Sequence, residues 1–113
     1  MVRLLTEVTS RHIYLGPAQA FAARQAHAGG RAWRFVLTYQ PLGSPFGAAH
    51  VVDLPLLLGN RASWAATPLL GEANWEEFDA AGRQVRQLWA DFARTGALPA
   101  RVDIPGVLEV ERT

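Results

Sequence analysis

The chain has 113 residues, half of them hydrophobic and 19% charged, so it specifies one globular domain over residues 1–113 and not two domains or a disordered chain. A net charge of +1, with arginine as the only basic residue besides three histidines, gives no general electrostatic basis for binding nucleic acid or an anionic membrane. The absence of cysteine excludes disulfides, thiolate nucleophiles and Cys-ligated zinc.

Residues 1–11 mix charge with apolar side chains and lack the apolar run of a secretory signal. The longest apolar stretch, residues 54–58, is far below the roughly 20 residues a membrane span needs. A soluble, cytoplasmic location is the expectation.

Gly16-Pro17 predicts the start of a helix, because proline suits the first helical position. The alanine-rich residues 18–28 continue it, and Gly29-Gly30 supply a left-handed end. Residues 32–39 read as a strand, with Trp33, Phe35, Leu37 and Tyr39 on one face. The Pro- and Gly-rich residues 40–47 form a loop that delivers Ala48-Ala49-His50 beyond that strand. Residues 51–60 hold one or two helical turns, broken by Pro55 and stopped by Gly59-Asn60.

The strongest helix signal spans residues 75 to about 95. Asn74 with Glu77 is a capping-box pattern, and Gly96 follows Arg94 at the far end. Trp75, Phe78, Val85, Leu88, Trp89 and Phe92 recur at helical spacing. The tail adds a short strand around residues 107–110.

Three histidines are the candidates for chemistry. His12 and His27 read as structural, and no histidine–carboxylate spacing makes a metal site. No cofactor motif is present: Gly29-Gly30 make no phosphate loop, since the chain has no lysine. His50 differs by context. Gly47-Ala48-Ala49 let the backbone turn tightly and leave room for a substrate, and loops at strand ends are where open α/β sheets place active sites. A complete local triad of Ser44, His50 and Asp53 is not expected. The glycines of Gly43-Ser44-Pro45-Phe46-Gly47 stand at the wrong offsets for a nucleophile elbow.

Several segments, in order, resemble the C-terminal portion of type-B carboxylesterases, the para-nitrobenzyl esterase and cholinesterase-like branch of the α/β-hydrolases. They are Ile13-Tyr14-Leu15-Gly16-Pro17 before an alanine-rich helix, Trp33-Arg34-Phe35, and Gly47-Ala48-Ala49-His50, similar to a Gly-Ala-x-His motif. Asp53-Leu54-Pro55 with Gly59-Asn60 and the run Trp89-Ala90-Asp91-Phe92-Ala93-Arg94-Thr95-Gly96 follow. The resemblance implies an α/β fold, a partial α/β-hydrolase with two long helices on a small sheet. It implies His50 as the catalytic general base of ester hydrolysis. In that family the nucleophilic serine, the acid and the oxyanion hole lie upstream of this region. The expectation is therefore a chain inactive alone, completed by self-association or by an upstream esterase half; the alternative is a non-catalytic assembly module derived from the same scaffold.

Overall fold

The structure, a computed structural model, describes residues 1–113 apart from the side chain of Val2. It opens with α1 (Val2–Thr9), a π-helical segment (Ser10–Leu15) and α2 (Gly16–His27). Residues Thr9, Ser10, Leu15 and Gly16 all hold right-handed helical angles, so the three segments form one continuous helix. At 1.5 Å per residue it is about 40 Å long. Gly16-Pro17 therefore does not open a helix; it lies inside one. Proline lacks the N–H of an α-helical hydrogen bond, and its ring crowds the carbonyl four residues back. The wider π turn absorbs this. The Gly16 N–H donates five residues back, to the Arg11 carbonyl.

Strand β1 (Trp33–Leu37) follows, then a long loop, the short helices α3 (Asp53–Leu58) and α4 (Arg61–Trp64), and a 3₁₀ turn at Pro68–Leu70. Helix α5 (Trp75–Thr95) is capped by Asn74, whose side chain accepts from the Glu76 and Glu77 amides, and ends at Gly96 in the left-handed region. Strands β2 (Arg101–Ile104) and β3 (Leu108–Arg112) form a hairpin. Its turn has Pro105 followed by Gly106 at φ 70°, and the Val107 amide donates to the Ile104 carbonyl at 2.9 Å. Pro then Gly at the two central positions is the signature of a type II turn.

The three strands make an antiparallel sheet in the order β1–β3–β2, with Phe35 opposite Val110 and Val102 opposite Val110 on the other side. Alternation along each strand separates two faces. Trp33, Phe35 and Leu37 face α5: Trp33 meets Phe92 edge-on at 5.7 Å, and Phe35 meets Trp89 at 4.9 Å. The opposite face is polar apart from Val36, and there Arg34 Nη1 donates to Gln19 Oε1 of α2 at 3.3 Å.

The core lies between α5, the sheet and α3. Phe78, Val85, Leu56, Leu70, Leu108 and Val110 are among its buried members. Each fully buried side chain of this size stabilises the fold by roughly 1.5–3 kcal/mol. The long N-terminal helix contributes little to it. Leu4 and Leu5 are 66% and 61% exposed, and of α2 only Ala22 is buried. The radius of gyration is 15.2 Å, against roughly 13 Å for a compact chain of this length. Strand β1 is an edge strand, so one row of its backbone groups faces away from the sheet.

Candidate active site

His50 stands at the corner of a turn between the long loop and α3. The Val52 amide donates to the Ala49 carbonyl at 3.3 Å, closing a four-residue turn over His50 and Val51. Val51 has φ 70°, and it is the one residue other than glycine with positive φ among the described residues. A negative φ at the second position followed by a positive φ at the third is the type II pattern, which ordinarily takes glycine there. For a β-branched residue this is strained.

Both sides of the turn are anchored. Downstream, Val52, Pro55 and Leu56 are fully buried. Arg86 of α5 donates from Nη1 to the Leu56 carbonyl at 2.6 Å, tying α3 to the long helix. Upstream, the Glu72 amide donates to the Leu42 carbonyl at 2.9 Å, and the Ser44 amide to the Pro41 carbonyl at 3.1 Å. A Cβ on Gly71 would meet the Ser44 nitrogen at 2.5 Å, so the loop rests directly on that glycine. His50 itself is exposed on this fixed base.

The imidazole of His50 stacks on the ring of Tyr14, with centroids 5.3 Å apart and planes inclined by 27°. Among the described residues it makes no hydrogen bond to a serine or a carboxylate. The chain has three serines, at positions 10, 44 and 63. Ser10 lies in the π segment. Ser44 Oγ accepts from the Phe46 amide at 3.3 Å, a turn of its own loop. Ser63 lies in α4, where its amide donates to Asn60 Oδ1. Asp53 is the first residue of α3, where its charge favours the helix N-terminus. The local triad is thus not assembled.

The other histidines have structural places. His12 Nδ1 bonds the Val8 carbonyl at 2.9 Å, and against that carbonyl the ring N–H is the donor. His27 is the exposed last residue of α2. Among the described residues no group of three or more His, Asp or Glu is placed to hold a metal ion. Among the described residues no helix is long and apolar enough to cross a membrane. A cavity of about 210 Å³ lies between the sheet and α5, lined by Trp33, Phe35, Trp89 and Phe92 among others, and includes none of the His50 loop. Tyr14 is the site neighbour that sequence reading missed. It lies far from His50 along the chain, and no local pattern pairs them.

The chain is 35% identical over 86 residues to a probable N-octanoylanthranilate hydrolase of Rhodococcus erythropolis. The chain is related to a hydrolase. The matched stretch is 76% of the chain but 19% of the relative, so the chain spans about a fifth of that protein's length. A stretch of 86 residues in a chain of 113 includes residues 28–86 wherever it starts, so the hydrolase-like part of the chain contains β1, the His50 loop and the start of α5. No family model matches the chain, and no solved structure does.

Proposed function

We propose that the chain is the histidine-bearing C-terminal segment of a serine hydrolase of the carboxylesterase type, with an α/β-hydrolase architecture completed by polypeptide outside these 113 residues. The observation that carries this reading is the likeness to a hydrolase across the loop that presents His50. His50 is the general base. A serine hydroxyl attacks the carbonyl of an acyl ester or N-acyl arylamine, the His50 imidazole takes its proton, and the same proton then passes to the leaving oxygen or nitrogen. The relative's substrate, an N-acyl anthranilate, belongs to the second class.

None of the three serines hydrogen-bonds His50, so on this reading the nucleophile, the acid that orients the imidazole and the oxyanion donors come from that further polypeptide. The chain alone is inactive on this reading, and its setting is the cytoplasm. The exposed Leu4, Leu5 and Val8 of α1 and the free edge of β1 are the surfaces through which the fold is completed, by the nucleophile-bearing half of the hydrolase or by a second copy of the chain. In the second case the protein is an assembly module that keeps the scaffold without the reaction.

Hydrolysis of a short-chain aryl ester tests the reading. The chain mixed with, or fused to, the serine-bearing part of a related hydrolase should turn the ester over, and His50→Ala should remove that turnover. Full activity in His50→Ala would reject the base assignment. Turnover by the chain alone, abolished by Ser44→Ala, would reject the missing-nucleophile argument.

A further inference from the structure

We propose that Tyr14 is a positioning residue for His50, set in place by the π turn that Gly16 and Pro17 build into the N-terminal helix. Three observations converge on it. The rings stack at 5.3 Å with their planes inclined by 27°. Tyr14 lies within the π segment Ser10–Leu15, and π turns inside longer helices concentrate at functional sites. The turn itself is specified by sequence. Pro17 cannot donate to the Ile13 carbonyl as an α-helix requires. Gly16 lets the Arg11 carbonyl approach, since a Cβ at position 16 would meet that oxygen at 2.8 Å. A regular α-helix would rotate the residues before Pro17 and carry Tyr14 away from the His50 loop.

Stacking suits a proton acceptor. Both imidazole nitrogens lie in the ring plane, so a neighbour on the face restrains that plane and leaves the nitrogens available for a hydroxyl and a carboxylate. The exposed His50 has no other ring or hydrogen-bond partner among the described residues, so Tyr14 is what limits its rotation. The role in catalysis rests on the reading of His50 as the base; the stack does not.

The two are separable by experiment. Proton NMR of the 113-residue chain reports the stack as an upfield ring-current shift of the His50 ring protons, assigned by their loss in His50→Ala. The shift should persist in Tyr14→Phe and disappear in Tyr14→Leu, which keeps apolar bulk without a ring. It should also disappear in Pro17→Ala. Tyr14 is half-exposed, so its replacement leaves the fold intact. An unchanged His50 spectrum in Tyr14→Leu would overturn the stack, and an unchanged one in Pro17→Ala would overturn the role of the proline. In the completed hydrolase, Tyr14→Leu should lower kcat on the order of tenfold at unchanged KM, with recovery in Tyr14→Phe. A stack that is present while kcat ignores Tyr14→Leu would overturn the positioning role. Indifference to His50→Ala as well would locate the failure in the base assignment instead.

Discussion

The carbonyl oxygen of Leu56 lies 2.8 Å from the point where a Cβ on residue 82 would stand, so Gly82 holds open the contact between α3 and α5. In the middle of a 21-residue helix, glycine otherwise costs about 1 kcal/mol relative to alanine. Here the close approach outweighs that cost. It admits the Arg86–Leu56 hydrogen bond and seats the helix that follows His50. Gly82→Ala should therefore destabilise the fold by about 1–3 kcal/mol despite its better helix propensity. Urea denaturation measures this, and a higher midpoint in Gly82→Ala would show that α3 yields to the added methyl.

Val51 makes the opposite prediction. Its φ of 70° places a β-branched side chain in a conformation that glycine adopts freely. Val51→Gly should release strain of order 1 kcal/mol. The melting temperature should rise by roughly 4 °C, less whatever burial the mostly buried valine contributes. A lower melting temperature would mean that packing of the valine exceeds the backbone strain. If the turn positions His50, the glycine variant should also be the less active in the completed hydrolase.

Tyr39 should make stability depend on pH in the alkaline range. Burial first, and the Glu77 carboxylate second, hold its hydroxyl above the usual tyrosine range. Its folded pKa is thus higher than its unfolded pKa of about 10. The contribution is fully present below about pH 10 and is lost as pH rises through the folded value. Denaturation profiles should therefore weaken above pH 10, and Tyr39→Phe should flatten that dependence while keeping the edge contact with Phe78. A profile identical in both proteins would remove Tyr39 as its source.

The α1 surface predicts association. Leu4 and Leu5 are both more than half exposed on a helix that adds little to the core. On its own the chain should self-associate in sedimentation experiments, and Leu4→Ser with Leu5→Ser should shift it toward monomer. A monomer at high concentration in the unmodified chain would argue that this face needs no cover.

Some of this was legible in the sequence because its signals are local. Asn74 and Gly96 mark the ends of α5, and the apolar spacing between them marks its buried face. The His50 loop was legible from its prolines and glycines. The helix before Pro17 was not, because proline reads locally as a first helical residue, and only the π turn shows how the chain carries it mid-helix. Strand β2 was hidden by its length of four residues and its alternating charges. The contact of Tyr14 with His50 joins distant segments and has no sequence signature.

The most direct test of His50 as the base of a completed hydrolase is the rate of aryl ester hydrolysis. It is measured for the chain alone, for the chain with a serine-bearing hydrolase half, and for that pair carrying His50→Ala. The expected result is no turnover, turnover, and a loss of at least about a thousandfold. Equal rates with and without the histidine would contradict the account.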